Sequence, residues 1–220
     1  MDRGNRALGP GEDWRAVVEA GYDAIAETYL DWAGRIDGAP RLRFLGELDG
    51  RLTAGSRVLD LGCGAGVPCT RILADRHHVL GVDMSARQLE LAREHVPAAT
   101  FQRAEMTTLD FPAGSWDAVT AFYSLTHLPR AEQAALITRI ARWLRPGGLL
   151  LATFSVAGGQ DSVQPDFLGT PMVFGGPPAE VTRTMLTEAG FDLLVGEPVT
   201  QYEPGEGEAT FLWVLGRTAT

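Results

Sequence analysis

The stretch VLDLGCGAGVP, Val58 to Pro68, constrains the fold more than any other part of the chain. It reads as a buried strand entering a turn where Gly62, Gly64 and Gly66 alternate with other residues. Dropping the Cβ atom lets backbone approach a ligand or adopt positive φ. Open α/β sheets bind their ligands at the carboxyl ends of the strands, beside such turns. Asp83 ends the next apolar run, HVLGVD, where a carboxylate accepts hydrogen bonds from a ribose. A nucleotide-like cofactor is therefore expected. A dinucleotide fingerprint is G-x-G-x-x-G, whereas the spacing here is G-x-G-x-G. Asp60, two residues before the first glycine, would repel a pyrophosphate and suit the ammonium of an amino acid. On these residues alone, a dinucleotide and an amino-acid-bearing nucleoside both stay open.

The rest of the chain supports an alternating α/β reading. Val17, Val18, Tyr22, Ile25, Ala26, Tyr29 and Leu30 recur at helical spacing between Asp13 and Arg35, and Pro40 opens a second helix through Leu48. Strands RVLDLG, HVLGVD, ATFQRA, WDAVTAF and LLLATF alternate with helices near Pro68–Ala74, Ser85–His95 and Arg130–Leu144. That order predicts a parallel sheet with helices on both faces. FDLLVGEPV and ATFLWVLGR, joined by the turn EPGEGE, are too close for a crossover and must pair antiparallel. The expected fold is a Rossmann-like, seven-stranded, mostly parallel sheet with an antiparallel C-terminal strand pair. Residues 1–12 read as a disordered lead-in, 13–50 as an N-terminal helical lid, and 51–220 as the core. A Gly- and Pro-rich, loop-like insert at 155–178 carries Phe167, Leu168, Met172, Val173 and Phe174, too apolar for a solvated loop. Long loops of that content are usually functional covers.

Charge and cysteine usage narrow the function. The 19 basic residues, all arginine, face 28 acidic ones, a net charge of −9 with no basic cluster. Nucleic-acid partners need clustered positive charge, so none is expected. There is no run of about 18 apolar residues and no secretory h-region, so neither a membrane span nor export is expected. Cytoplasmic location follows as the default, with a monomer or homodimer. Cys63 and Cys69 have neither disulfide nor zinc spacing. Without lysine, no Schiff base is available.

VLDLGCGAG, LGVDMS, FQRAEMTTLDFPAGSWDAV and LRPGGLLL, in that order, resemble the class I S-adenosylmethionine-dependent methyltransferases. The likeness is to the small-molecule branch that includes ubiquinone and menaquinone methyltransferases, and it spans about Tyr22 to Arg217. It implies S-adenosylmethionine as cofactor and a small-molecule acceptor. Asp60, Gly62 and Gly64 would line the methionine part, with Cys63 between them. Asp83 would bind both ribose hydroxyls and Met84 would pack on adenine. Glu105 stands where the family often has aspartate and would accept from the adenine amino group, beside the Met106 N–H. Phe122 completes the cofactor set. YDAIAETY resembles the family's N-terminal helix, with Tyr22 and Tyr29 closing over the cofactor and facing substrate.

Of the four histidines, His77 and His78 precede a strand and His95 ends a helix. His127 alone follows the fourth core strand, at the carboxyl edge, in FYSLTHLPR. It is the candidate general base, and an ordinary imidazole titrates near about pH 6.5. Tyr123 and Ser124 are the other polar groups after that strand, and Tyr29 and Tyr123 are the alternatives to His127. The expected substrate contacts are Tyr29, His127, Phe167, Met172 and Phe174, which suit an apolar or aromatic acceptor, methylated on oxygen sooner than on nitrogen or carbon. No Asp or Asn ends the fourth core strand, so a metal-free reaction is expected. All-arginine composition hints at a GC-rich bacterium and secondary metabolism. The alternatives are a cofactor-binding fold doing other chemistry, such as a cyclisation, or a regulatory role, and a nicotinamide oxidoreductase.

Overall fold

A computed structural model describes residues 4–36 and 40–219. The first core strand, Arg57–Leu61 (β2), pairs in parallel with His78–Asp83 (β3) and Trp116–Ala121 (β5). Thr100–Arg103 (β4) adds outside β3, and Leu144–Ser155 (β6) outside β5. Gly207–Thr218 (β10) runs antiparallel to both β6 and Phe191–Glu203 (β9). The seven-stranded order is β4-β3-β2-β5-β6-β10-β9. It is the sheet the sequence pattern predicts, antiparallel pair included.

Side-chain alternation assigns the faces. Val58, Leu149, Leu151, Trp213 and Leu215 face Phe44, Leu45 and Leu48 of Pro40–Asp49 (α2) and Leu73 of Cys69–Ala74 (α3). Leu59, Leu61, Leu150, Leu212 and Val214 face Leu136, Ile137, Ile140 and Trp143 of Arg130–Trp143 (α5) and Leu186 of Ala179–Glu188 (α6). Ala86–His95 (α4) packs on β3 and β4, and its N-cap is Ser85, whose hydroxyl accepts from the Gln88 N–H at 3.1 Å. Among the described residues no helix is long and apolar enough to cross a membrane.

Helix Trp14–Gly34 (α1), capped by Asp13, roofs the carboxyl edge of the sheet. Trp14 Nε1 and Arg15 donate to Glu132 of α5, at 3.0 and 2.5 Å. Asp23 accepts from Ser85 Oγ and the Arg87 N–H at the start of α4, where a helix N-terminus favours an anion. At the far end, Trp32 Nε1 donates to the Pro204 carbonyl at 2.7 Å.

Two expectations are corrected. The insert 155–178 is not a loop: Ser162–Phe167 (β7) and Thr170–Phe174 (β8) form an antiparallel hairpin. Leu168 and Gly169 make its turn at φ 54 and 94, and Pro165 sits where the register shifts, as proline does at a bulge. Its prolines and glycines mask a two-residue alternation. The lead-in is ordered over its described part. Arg6–Ala7 (β1) pairs antiparallel with Val163 and Ser162, and Arg6 holds Glu12 at 2.6 Å. Residues 1–3 lie outside the described residues. The three strands β1-β7-β8 form a second small sheet.

Candidate active site

The three glycines have different reasons. Each has positive φ, 69 at Gly62, 53 at Gly64 and 76 at Gly66. A Cβ on Gly62 would lie 2.3 Å from the Ser124 Cβ, and one on Gly66 2.9 Å from Val96 beyond α4. At Gly64 the nearest atom would be Gln88 Oε1, at 3.6 Å. So Gly62 and Gly66 let the protein close on itself, and Gly64 leaves room for a ligand. The Gly64 N–H donates to Asp83 Oδ2 at 2.9 Å, and the Ser85 N–H to Oδ1 at 2.9 Å.

Three connected cavities open along this edge. The first is a cleft with about 630 Å³ of empty space, part of it open to solvent, lined by Gly62, Gly64, Asp83, Met84, Glu105, Met106 and Phe122, under Trp14 and Tyr22 of α1. The second, also about 630 Å³, is walled by Tyr29, Trp32, Phe167, Phe174 and Phe211, with Arg41, Gln164, Gln201, Glu203 and Glu206 as polar groups. The third, about 500 Å³, holds Asp60, Cys63, Arg41 and Tyr123. Tyr22, Tyr29, Tyr123 and His127 line both of the larger cavities and form the wall where they meet.

At that wall the Tyr22 hydroxyl and His127 Nε2 are 2.8 Å apart, and His127 Nδ1 is 2.8 Å from the Val173 carbonyl of β8. A carbonyl only accepts, so Nδ1 carries the proton and Nε2 accepts from Tyr22. Burial pushes the His127 pKa down to about 4, against a small upward pull from the Val173 carbonyl. The ring is neutral at physiological pH, and the expected titration near 6.5 is corrected. Burial likewise lifts the Tyr22 phenol well above its ordinary range, so it stays a donor.

The remaining groups divide. Asp83 is pushed up to about 6 by burial, with the Asp60 charge adding to this and the Ser85 and Gly64 N–H groups opposing it. Asp60 is buried, and its two oxygens accept from Thr70 and Thr120 hydroxyls at 2.6 and 2.8 Å. Glu105 lines the first cavity while accepting from the Thr107 N–H at 2.8 Å and from Arg15 at 3.4 Å. Its carboxylate therefore also braces α1. Tyr123, at φ 59, donates its hydroxyl to Gln201 at 2.8 Å and carries the Arg41 guanidinium 5.3 Å above its ring. Cys63 is half-buried, and burial together with the Asp83 and Asp60 charges lifts its thiol well above the ordinary value, so it is no reactive thiolate. Met172 is corrected: it is fully buried and would meet a Cβ on Gly21 at 2.8 Å, so it packs under α1 and lines none of the three cavities.

Sequence reasoning misses Arg41 and Asp23, and takes Ser124 only as a polar group at the strand end. Ser124 donates to the Leu61 carbonyl at 2.8 Å and so clamps the glycine turn. Arg41, 8% exposed, lines the second and third cavities with its Nε unpartnered. In the sequence it is one of many arginines, with no motif around it.

A glycine turn, a ribose-ready carboxylate and an aromatic second chamber at the carboxyl edge define a nucleoside-binding α/β protein with room for a second molecule. The Methyltransferase domain family matches residues 58–148. The 27-O-demethylrifamycin SV methyltransferase of Amycolatopsis mediterranei is 34% identical over 163 residues, 69% of this chain and 59% of that protein. Across such curated relatives the matched part spans between 26% and 65% of their length. Among solved structures, the 1,6-didemethyltoxoflavin-N1-methyltransferase of Burkholderia thailandensis, with bound S-adenosylhomocysteine, superposes at a TM-score of 0.71 and 19% identity, covering 98% of this chain and 93% of that one. The 4+2 cyclase SpnF superposes at 0.68 and 23% identity, covering 92% and 95%. The chain carries a Methyltransferase domain, and its relatives and structural neighbours include S-adenosylmethionine-dependent methyltransferases.

Proposed function

We propose that the chain binds S-adenosylmethionine and transfers its methyl group to a hydroxyl of a small apolar or aromatic metabolite, without a metal. The observation that carries this reading is the shared wall. A nucleoside-ready cavity and an aromatic chamber meet at Tyr22 and His127. The residues fit the cofactor. Gly64 leaves space that a Cβ would fill, Asp83 presents a fixed carboxylate, and Arg41, with a buried unpartnered Nε, lines the third cavity. Asp83 would hold the ribose, Met84 and Met106 flank the base, and Arg41 meet the amino-acid carboxylate. When bound, the sulfonium supplies an activated methyl and its own leaving group. The protein's part is then to align the acceptor and exclude water. Phe167, Phe174 and Trp32 make the chamber apolar. His127 takes the acceptor proton at Nε2 once Tyr22 yields that position. A base matters for a hydroxyl more than for an amine, which is why oxygen is favoured.

Incubation with labelled S-adenosylmethionine and a panel of phenols, alcohols and amines tests the reading. Label in a hydroxylated product supports it, and label only in amines overturns the oxygen assignment. The cyclase neighbour shows that this fold also serves other chemistry. Cofactor binding without any labelled product, against a broad metabolite extract, would favour that alternative.

Asp83→Ala should lose most affinity for S-adenosylhomocysteine by calorimetry. In the wild type, affinity should fall as Asp83 protonates. With its pKa near 6, binding at pH 5 should be about tenfold weaker than at pH 7. A flat profile would remove Asp83 from ribose binding. Turnover should survive EDTA, because Phe122, Tyr123 and Ser124 follow β5 where a metal enzyme would place carboxylates. Restoration by magnesium after chelation would show the reverse. Helix α1 acts as the lid, and amide exchange across Trp14–Gly34 should slow on adding the homocysteine product. Unchanged exchange would make it a fixed roof.

A further inference from the structure

The acceptor chamber is aromatic on its walls and acidic at one end. Glu203 closes β9, Glu206 stands in the turn before β10, and the Pro204 carbonyl between them accepts from Trp32 Nε1 of α1 at 2.7 Å. Both glutamates line the second cavity, and neither lines the first or the third. From His127 this turn is reached across Tyr22, Tyr29 and Trp32, whose ring centroids follow one another at 5.3, 5.1 and 5.7 Å. The acidic end is therefore the end away from the reacting wall. Two buried amides belong to it. Gln201, 6% exposed, donates to Glu203 Oε1 at 2.9 Å, and Gln164, 7% exposed, donates to Glu206 Oε2 at 3.4 Å. The Gln201 oxygen accepts from Tyr123 at 2.8 Å. The Gln164 oxygen accepts from no group among the described residues, while its nitrogen is held by Glu206 and the Asp166 carbonyl. Native proteins pair buried polar groups, so a donor on a ligand is what completes this amide.

The charges agree. Arg41 is the one cation among the described residues lining the chamber, against two carboxylates. It gives Nη2 to the Ala33 carbonyl at 3.1 Å and stands over the Tyr123 ring, on the side shared with the third cavity. The field of Glu203 reaches across the chamber: burial lifts the Tyr29 phenol, Arg41 opposes this and Glu203 adds to it. The aromatic walls act in the same sense, since ring faces attract cations.

We propose that the acceptor carries a protonated amine at the end remote from its reacting hydroxyl, held by Glu203, Glu206 and Gln164 Oε1; the inference rests on the methyltransferase reading above and names a substrate class for it. An ammonium only donates and these oxygens only accept. A carboxylate bonded once keeps lone pairs for a further donor, so the two glutamine bonds can stay. An acceptor ending in a carboxylate would face like charges instead. Protonated and away from His127, the nitrogen is not the methylated atom.

Four phenols that share a two-carbon spacer serve as probes on protein saturated with S-adenosylhomocysteine. Tyramine, tyrosol, para-propylphenol and para-hydroxyphenylpropionate end in an ammonium, a hydroxyl, a methyl and a carboxylate. Calorimetry should place tyramine about tenfold tighter than para-propylphenol, tyrosol between them and the propionate weakest. Glu203→Gln combined with Glu206→Gln keeps the shape and removes the charge. Tyramine should then lose its lead while para-propylphenol binds as before. Should that variant fail to fold, the wild-type ranking is the test by itself. Tyramine no tighter than tyrosol on the wild type overturns the proposal, and a lead that survives in the folded variant overturns the assignment to these glutamates. Binding of no phenol by protein that holds S-adenosylhomocysteine overturns the proposal and leaves the cofactor assignment standing. Failure to hold S-adenosylhomocysteine overturns the methyltransferase reading and the proposal with it, which separates that failure from the others.

Discussion

Gly62→Ala should cost the free protein about 3 kcal/mol or more and lower its melting midpoint by many degrees. Two effects add. An L side chain at φ 69 strains the backbone by about 1 kcal/mol. The new methyl would also lie 2.3 Å from the Ser124 Cβ, and Ser124 has no freedom to retreat, because its hydroxyl is bound to the Leu61 carbonyl. Overpacking of this kind costs about 1–3 kcal/mol by itself. Against a total stability of about 5–15 kcal/mol, the sum is a large fraction. Gly64→Ala is the contrast. Its methyl meets only Gln88 Oε1, at 3.6 Å, so stability should drop by about 1 kcal/mol while cofactor affinity suffers most. Thermal melts of both variants, with and without S-adenosylhomocysteine, check the pair. Equal melting of Gly62→Ala and wild type would show that the turn relaxes freely.

His127→Ala should lower methyl transfer to a hydroxyl acceptor by about a hundredfold or more, with affinity for S-adenosylhomocysteine close to wild type. Tyr22→Phe should do less, since it leaves the imidazole in place and frees Nε2. The wild-type rate should rise through about pH 4 and then level, because the ring must be neutral to accept a proton. The variant should lack that limb. A second readout needs no substrate. The folded ring titrates near 4 and the unfolded one near about 6.5. As pH falls through that window the unfolded chain takes up a proton that the native site refuses, so stability falls by about 3 kcal/mol. Asp83 works the other way. Its native pKa near 6 exceeds the unfolded value near about 3.9, so protonation between pH 6 and 4 stabilises the fold. The two nearly cancel in the wild type, and His127→Ala should therefore gain stability on acidification where wild type stays level. Near-normal turnover on the true acceptor would remove His127 from the chemistry and leave Tyr29, Tyr123 or alignment alone.

The sheet was legible because its strands are buried on both faces and read as apolar runs, while its helices carry the longer period. The antiparallel pair β9–β10 was legible from loop length alone. Gly62, Gly64, Asp83, Met84 and Glu105 were legible because motif order places them at one edge. The hairpin β7–β8 was not, since Pro165, Gly169 and Pro171 imitate a loop and its pairing partner β1 lies 157 residues away at Arg6↔Val163, far beyond any local pattern. Met172 failed for a different reason. Met172 and Phe174 share a face of β8, but only Phe174 reaches the acceptor chamber, while Met172, two residues back along the strand, packs under Gly21 of α1. Ser124 and Arg41 owe their places to long-range packing that no local motif announces.

The second sheet has a consequence for how such a chain diversifies. The nucleoside end is built by β2, β3 and α4, and much of the acceptor wall by β7, β8 and the strand β1 that edges them. The two share no strand pairing. Residues 4–12 and 155–178 can therefore drift, or be grafted from a relative, while the reagent-holding half is inherited unchanged. At the reacting wall Val173 ties the halves, through the carbonyl that sets the His127 tautomer. That bond is made by backbone, so it survives any change of side chain at the position. Selectivity in such a lineage is free to be rewritten without relearning the reaction.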